Sequence, residues 1–233
     1  MIGSCILKTA IAEMQSQYKD NTMNDKSDPN IFAKAFASSD KKSLESLYKD
    51  WALTYDEESA AAGFRLPSLT PGFLARYVSP TDQPILDAGC GTGLTGDNLN
   101  ILGYKNIVGI DLSEEMLERA SALGVYNQLE KMTLGESLDF PSNHFAAVIS
   151  TGVFTEGHAP STSFDELIRV TKPNGYLVFN VRDDIYEERG FREKQESLEK
   201  QGLWHFVEIS DRFRPFTIKE PNVIARIFAY RVI

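Results

Sequence analysis

The feature that most constrains this chain is a glycine-rich stretch between a strand pattern and a helix pattern. Residues 85–96 read Ile-Leu-Asp-Ala-Gly-Cys-Gly-Thr-Gly-Leu-Thr-Gly, with glycines at the alternate positions Gly89, Gly91 and Gly93. Glycine permits a positive φ and lets the backbone approach a ligand with no Cβ in the way. The following helix start also offers free N–H groups to a bound group. The stretch therefore predicts a cofactor-binding loop.

Strand and helix patterns alternate after this loop. An apolar run over 106–111 predicts a strand, and Ser113 is placed to cap the next helix. Ser163 and Glu166 are spaced as a capping box for a later helix. Further strands are predicted over 126–132, 145–150, 176–181, 203–209 and 223–232, and a further helix over 191–201. Together with the strand that enters the glycine loop at Ile85, these strands predict an α/β fold with a doubly wound, mostly parallel seven-stranded sheet, closed by an antiparallel pair.

About 80 residues precede the first predicted strand, and they divide into two regions. Residues 1–30 are polar without a sustained period, which predicts a flexible tail. Residues 31–80 predict a helical lid, with Tyr48, Trp51 and Tyr55 on one face of a first helix and Thr70-Pro71 starting a second. Residues 81–233 then form the cofactor-binding domain.

Composition narrows the function classes. The 233 residues carry a formal net charge of -9 and a sequence pI of about 4.9, which disfavours a broad nucleic-acid surface and favours a small-molecule partner. Two cysteines, Cys5 and Cys90, provide no disulfide framework and suit a reducing cytoplasm, and no metal site is expected. No apolar run approaches the roughly 20 residues of a membrane span, so no membrane partner is expected.

The glycine loop permits two interpretations of its cofactor. Gly91-Thr-Gly93-Leu-Thr-Gly96 fits the dinucleotide fingerprint G-x-G-x-x-G, and Asp111 follows at a distance suited to a ribose-binding acid. This interpretation predicts a nicotinamide-dependent oxidoreductase. The alternative treats Asp87-Ala-Gly89-Cys-Gly91-Thr-Gly93 as one unit, an acid followed by three alternating glycines.

The second unit resembles the first motif of the class I S-adenosylmethionine-dependent methyltransferases. The acid at the end of the second strand, the acidic turn at Glu136 and the long segment before the first strand agree with that family. Segments 48–56, 151–158, 181–188 and 214–216 are similar to the Williams-Beuren syndrome region methyltransferase-like proteins. The resemblance covers roughly residues 45–233. It implies a Rossmann-like fold, S-adenosylmethionine as methyl donor, S-adenosylhomocysteine as product, and an undefined acceptor.

The resemblance also implies roles for individual residues. Asp111 would accept hydrogen bonds from the ribose hydroxyls, and Asp87 would fix the loop or meet the donor's ammonium group. Other residues would contact the donor through the loop backbone, the adenine faces, the adenine edge or the end of the fourth strand: Gly89, Cys90, Gly91, Gly93, Leu112, Met116, Glu136, Ser137 and Thr151. Met116 could equally belong to the core, because it lies at helical spacing. Trp51 and Tyr55 would cover the donor, or would instead form ordinary helix packing.

Catalysis in such a site rests largely on proximity and orientation. A general base is required only when the acceptor must lose a proton during the attack. Glu156 and His158 are candidates for that base, and the ordinary pKa of histidine suits the role. A loop histidine bonded to the backbone is an equal alternative for His158. A donor-binding protein without turnover is a further alternative for the whole chain.

Overall fold

The computed structural model describes residues 41–233. The predicted tail over 1–30 and the first part of the predicted lid region 31–80 lie outside the described residues. The helices are α1 Lys41–Trp51, α2 Tyr55–Ala62, α3 Leu66–Leu74, α4 Leu94–Ile101, α5 Glu114–Ala122, α6 Ser163–Val170, α7 Asp183–Glu188 and α8 Phe191–Lys200. The strands are β1 Ile85–Ala88, β2 Ile107–Asp111, β3 Gln128–Lys131, β4 Phe145–Phe154, β5 Thr171–Arg182, β6 Trp204–Ile209 and β7 Ala225–Val232.

The seven strands form one sheet in the order β3-β2-β1-β4-β5-β7-β6. Neighbours from β3 to β5 run parallel, whereas β7 is antiparallel to both β5 and β6. The predicted doubly wound, mostly parallel sheet and its antiparallel closing pair are confirmed. The strand order reverses between β1 and β4, and sheets of this kind bind ligands outside the carboxyl ends of the strands at such a point.

Helices cover both faces of the sheet, which explains why the central strands are apolar along their length. All four positions of β1 are buried. Along β5, Leu177 and Phe179 belong to the core layer that contains Phe164 of α6, whereas Val178 belongs to the layer that contains Leu99 of α4. Successive side chains alternate between the two layers because strands have a period of two.

The aromatic stripe that predicted one long helix lies on two helices. α1 ends at Trp51 and α2 begins at Tyr55. Acidic side chains occupy the first turn of α2, where they favour a new helix start. The Trp51 ring still stacks on Tyr48, with ring centroids 5.7 Å apart, and meets Tyr55 edge-on at 4.8 Å. The stripe therefore remains one packed unit across the break.

The predicted helix start at Thr70-Pro71 is wrong. α3 begins at Leu66 with Pro67 in its first turn, and Pro71 lies inside the helix. Pro67 fills the role expected of Pro71, because a proline in the first turn removes an N–H that has no helical partner anyway. Thr70 is then a buried helical residue whose Oγ1 has no hydrogen-bond partner within the described chain.

The predicted capping box at Ser163 and Glu166 is also wrong, although α6 begins within one residue of the expected start. Thr162 is the N-cap, and Ser163 is the first helical residue, with a buried Oγ that lacks a hydrogen-bond partner among residues 41–233. The Glu166 carboxylate instead accepts from the Leu138 N–H at 2.8 Å and pairs with Arg169 at 2.7 Å. Arg169 lies one helical turn from Glu166, and the Leu138 N–H belongs to a loop, so both can bond to the Glu166 carboxylate in place of its own helix terminus.

Replacing Ser163 by alanine should leave the free energy of unfolding unchanged or raise it by up to about 1 kcal/mol, because a buried, unpartnered hydroxyl is removed. The matched control is Ser113→Ala. The Ser113 hydroxyl accepts from the Met116 N–H at 3.3 Å, so its loss should cost about 1 kcal/mol. Urea unfolding measures both values. Equal losses in the two variants would contradict the assignment of Thr162 as the cap of α6.

Candidate functional site

A cavity of about 450 Å³, here called the main cavity, lies at the carboxyl ends of β1, β2 and β4. Its volume falls within the range of about 300–1,000 Å³ that is usual for small-molecule sites. Its walls are the loop after β1, the end of β2, residues 132–136 after β3, residues 151–153 of β4, the loop 157–160, and Tyr48 and Tyr55. The main cavity therefore occupies the place where the strand order reverses.

The three alternate glycines of the loop have different surroundings. A Cβ on Gly89 would lie 2.3 Å from Val153, and a Cβ on Gly93 would lie 2.8 Å from Leu123. A Cβ on Gly91 would meet nothing within 4 Å, and Gly91 lines the main cavity. Gly89 and Gly93 thus permit close packing of the protein on itself, whereas Gly91 leaves the face of the loop open for a ligand.

Asp111 ends β2 with its carboxylate fixed by backbone N–H groups. Its Oδ2 accepts from Gly91 at 2.9 Å and its Oδ1 accepts from Ser113 at 3.0 Å. Burial raises the pKa of Asp111 above its ordinary value, and these N–H groups oppose the rise. A carboxylate offers about four lone-pair sites, so both oxygens can accept further hydrogen bonds from a ligand. Asp111 is thus an oriented acceptor on the wall of the main cavity.

Asp87 is fully buried behind the loop and is bonded to Tyr126. The Tyr126 hydroxyl donates to Asp87 Oδ2 at 2.7 Å and accepts from the Gly96 N–H at 3.1 Å. Asp87 Oδ1 has no hydrogen-bond partner within the described chain. Burial raises the pKa of Asp87 to about 7, although the Tyr126 bond opposes the rise. This arrangement connects β1, the loop and α4 through one hydroxyl.

The far wall of the main cavity is partly apolar and partly polar. Leu112 and Met116 line it, and Glu136 is an exposed acid at its rim. Thr151, predicted to follow β4, lies inside that strand, because β4 continues past an irregularity to Phe154. The Thr151 Oγ1 is buried and lacks a hydrogen-bond partner within residues 41–233. The wall therefore combines apolar surface with acceptors that a ligand can reach.

Polar contacts attach the N-terminal helices to the rim of the main cavity. Asp56 of α2 accepts from the Thr92 hydroxyl in the glycine loop at 2.6 Å. Glu45 of α1 pairs with Lys131 at the end of β3 at 2.6 Å. Since Tyr48 lines the main cavity between these contacts, α1 and α2 cover it.

His158 is held between α1 and its own loop. A backbone carbonyl only accepts, so the contact of 2.7 Å with Glu156 O requires a proton on Nδ1. Nε2 then accepts from the Tyr48 hydroxyl at 2.8 Å. Burial and the nearby Arg182 lower the pKa of His158 to about 4, well below the ordinary value on which its candidacy as a base rests. The other candidate, Glu156, forms an ion pair with Arg189 and lines neither cavity.

A smaller cavity of about 50 Å³, here called the side cavity, adjoins the main one. Tyr48, Tyr55, Gly152 and His158 line both cavities. The remaining walls of the side cavity come from the start of α3, the end of β5 and the loop around Phe216. The two cavities therefore adjoin at these four residues, here called the shared wall.

The structure brings most of the predicted cofactor residues together. The main cavity is lined by Tyr55, Gly89, Gly91, Asp111, Leu112, Met116, Glu136 and Thr151. Other predicted residues do not line it: Asp87, Cys90, Gly93, Ser137 and Trp51. Cys90 is buried with Sγ 3.9 Å from Gly91 O, and Ser137 is exposed. Trp51 lines the side cavity instead.

Sequence reasoning missed several residues of the site. Tyr48 belongs to the aromatic stripe, seven residues before Tyr55, and that spacing is the signal that places it beside the cavity. Gly135 and Gly152 line the main cavity with positive φ values of 94° and 74°. No sequence motif identified Tyr126 as part of the site, because it lies just before a short strand. Within residues 41–233, no helix is long and apolar enough to cross a bilayer, and no metal-binding group of side chains occurs.

Comparison with known proteins adds to this geometry. Residues 86–179 match the methyltransferase domain family. Human methyltransferase-like protein 27 is 34% identical over 163 residues, which cover 67% of this chain and 66% of that protein. A TehB-like methyltransferase of Corynebacterium glutamicum superposes with a TM-score of 0.58 at 17% identity, covering 81% of this chain and 99% of that one. The [4+2]-cyclase SpnF superposes with a TM-score of 0.64 at 15% identity, covering 84% and 97%.

Residues 86–179 form a methyltransferase domain, and the described chain has the fold of the class I S-adenosylmethionine-dependent methyltransferases, as the glycine loop predicts. The similarity to the human protein agrees with the predicted resemblance to the Williams-Beuren syndrome region methyltransferase-like proteins. The chain spans slightly less than two thirds of that relative's length. The two solved structures establish the fold alone, and SpnF is named for a cyclisation, so the fold by itself does not define a reaction.

Alanine at Gly91 and alanine at Gly93 should have different effects. Gly91→Ala adds a Cβ into open space at φ +54°, so we expect a stability cost of about 1–2 kcal/mol and a loss of ligand affinity. Gly93→Ala adds a Cβ at φ +96° that would lie 3.2 Å from the Ala120 backbone, so its unfolding cost should be larger. Urea unfolding and calorimetric titration with S-adenosylhomocysteine measure both effects. Equal unfolding costs would contradict the different surroundings assigned to these glycines.

The buried, neutral His158 should make the folded state less stable in mild acid. Its folded pKa of about 4 lies below the ordinary 6.5, so the unfolded chain takes up the proton first as pH falls. The stability that depends on neutral His158 is complete above about pH 6.5 and is lost between pH 6.5 and pH 4. Relative to His158→Gln, the chain should lose up to about 3 kcal/mol over this range.

Urea unfolding at several pH values measures this difference. Asp87 has a raised pKa and changes stability in the opposite direction, but it is present in both proteins and its contribution cancels in the comparison. Parallel stability profiles for the chain and His158→Gln would contradict the depressed pKa of His158.

Proposed function

We propose that the chain binds S-adenosylmethionine in the main cavity and transfers the methyl group to a small molecule in the side cavity. The observation that carries this proposal is the shared wall, because Tyr48, Tyr55, Gly152 and His158 line both cavities. Methyl transfer requires the donor and the acceptor to be in contact and aligned. Two cavities that meet at one wall provide adjacent places for them.

Side chains around the main cavity suit the parts of this donor. Asp111 would accept from the ribose hydroxyls, and the open face at Gly91 would admit the sugar and the methionine portion. Leu112 and Met116 would flank the adenine, and the Glu136 carboxylate would accept from its amino group. Five predicted residues do not line the main cavity and would act by shaping the loop and the wall around it. They are Asp87, Cys90, Gly93, Ser137 and Trp51.

The donor supplies a methyl group on an already activated sulfonium, so the chain needs chiefly to bind, orient and exclude water. Tyr48 and Tyr55 cover the shared wall and would hold the two reactants in line. Both nitrogens of His158 are engaged, and Glu156 is paired with Arg189. We therefore assign no general base.

The regional assignments belong to the same proposal. The described part of the predicted lid region, residues 41–80, acts as a helical lid, and residues 81–233 act as the donor-binding domain. The contacts of α1 and α2 with the cavity rim support the lid. We place the protein in the cytoplasm, with neither nucleic acid nor membrane as a partner, because its charge is strongly negative and its two cysteines suit reducing conditions.

Isothermal titration calorimetry tests the donor. S-adenosylmethionine and S-adenosylhomocysteine should bind, and NADH should not. Asp111→Ala should weaken binding at least about tenfold, because hydrogen bonds to a charged group contribute about 1.5–3 kcal/mol each. Asp111→Asn keeps one acceptor oxygen, so its affinity for the donor should lie between those of the unchanged chain and Asp111→Ala. Asp139→Asn changes an exposed acid away from both cavities and should bind normally.

The outcomes separate the alternatives. Preferential binding of NADH would favour a nicotinamide-dependent oxidoreductase. Unchanged donor affinity in Asp111→Ala would remove the assignment of the ribose site. Tight donor binding without release of S-adenosylhomocysteine in the presence of any acceptor would indicate a donor-binding protein without turnover.

A further inference from the structure

The side cavity has aromatic walls. The Phe64 and Phe216 rings stack with centroids 4.8 Å apart, and Trp51 meets Tyr55 edge-on at the same distance. All four rings line the side cavity, together with Tyr48. Aromatic surfaces of this kind favour flat apolar groups, which stack or pack edge-on against them. The small volume of about 50 Å³ restricts the entering group to a small one.

The charge of the side cavity is positive. Arg182 lines it, and none of the described residues that line it is acidic. Asp184 pairs with Arg182 through two contacts of 2.5 and 3.1 Å, but Asp184 is not among the residues that line the side cavity. His158 is neutral at physiological pH, partly because Arg182 opposes its protonation. A cationic acceptor would therefore face Arg182 on one side and the donor sulfonium on the other.

Asn180 adds an oriented donor to this wall. Its side chain is buried, and the Gly152 N–H lies 2.7 Å from Oδ1. Because a backbone N–H only donates, the oxygen must face Gly152, and the amide NH₂ is the end that can donate to a ligand. Asn180 and Arg182 together suit a ligand that presents hydrogen-bond acceptors.

The same wall offers no ready proton acceptor among its described residues. Nδ1 of His158 donates to a backbone carbonyl, and Nε2 accepts from the Tyr48 hydroxyl. The Thr155 hydroxyl accepts from Arg182 at 3.2 Å and is not a base at neutral pH. A nucleophile that must lose a proton in the side cavity would have to break the Tyr48–His158 bond. An acceptor that arrives already ionised needs no such step.

Resting on the proposed function, we propose that the methyl acceptor is a small carboxylate attached to a flat aromatic or conjugated group. A carboxylate oxygen attacks the methyl carbon, and the new O–CH₃ bond forms as the S–CH₃ bond breaks. The bonding pair returns to sulfur, so the products are a methyl ester and a neutral thioether. No proton is released, which agrees with a wall that has no base. Carboxylic acids have pKa values near 4 and are ionised at neutral pH, unlike phenols and alcohols.

The test compares three probes of similar size and shape: benzoate, benzyl alcohol and protonated benzylamine. Each is titrated calorimetrically into the full chain saturated with S-adenosylhomocysteine, so donor-site binding is established first. Benzoate should bind about tenfold more tightly than the neutral probe, and the cationic probe should not bind. With S-adenosylmethionine, methyl benzoate should form, detected by mass spectrometry.

Asn180→Asp provides the matched variant. Its carboxylate can still accept from the Gly152 N–H, so the fold is retained while the donor group is replaced by a negative charge. Benzoate affinity should fall about tenfold or more, and the affinity for S-adenosylhomocysteine should stay within about twofold. Asn106→Asp adds the same charge at an exposed position before β2. It should change neither the affinity for benzoate nor the affinity for S-adenosylhomocysteine.

Each outcome decides one proposal. Failure to bind S-adenosylhomocysteine would overturn the proposed function itself. Normal binding of S-adenosylhomocysteine with equal or tighter binding of benzyl alcohol or benzylamine would overturn the carboxylate proposal alone. The same conclusion would follow if no probe bound at millimolar concentration, or if Asn180→Asp left benzoate affinity unchanged.

Discussion

The glycine loop depends on one hydroxyl group. Tyr126 donates to buried Asp87 and accepts from the Gly96 N–H, so it connects β1 to the start of α4 on either side of the loop. Gly96 has no Cβ because the Tyr126 ring occupies that place, 2.2 Å from where a Cβ would lie. The loop backbone is thereby fixed from behind, and its open face at Gly91 is presented to the main cavity.

The sequence predicted those parts of the fold that depend on residues close to one another in the chain. The apolar run into Asp87, the alternate glycines, the strand ending at Asp111 and the helix capped by Ser113 each use neighbouring residues, and the structure contains all of them. Errors arose where distant partners compete with local ones. Glu166 could have capped its own helix, but it bonds to the N–H of Leu138, 28 residues earlier in the chain.

Contacts between residues far apart in the chain also limited what the sequence could predict about the site. Asp111 could be identified from sequence because a carboxylate at the end of a parallel strand must face the edge where ligands bind. The partnership of Tyr48 with His158 spans 110 residues, and no periodicity or motif predicts it. This contact changes the role that can be assigned to His158. The sequence suggested a general base, whereas in the structure the neutral imidazole accepts a hydrogen bond from a tyrosine hydroxyl.

Under the proposed function, the shared wall would link donor retention to acceptor choice. Tyr48 and Tyr55 belong to helices that cover the main cavity, and their rings also line the side cavity. A movement of α1 away from the main cavity would break the Tyr48–His158 hydrogen bond and change the lining of the side cavity as well. Asn180 holds the Gly152 N–H of the same wall from the opposite side. Under the proposed function, acceptor fit in the side cavity would therefore depend on the same Tyr48–His158 contact that covers the donor, so acceptor specificity and donor exchange would be coupled.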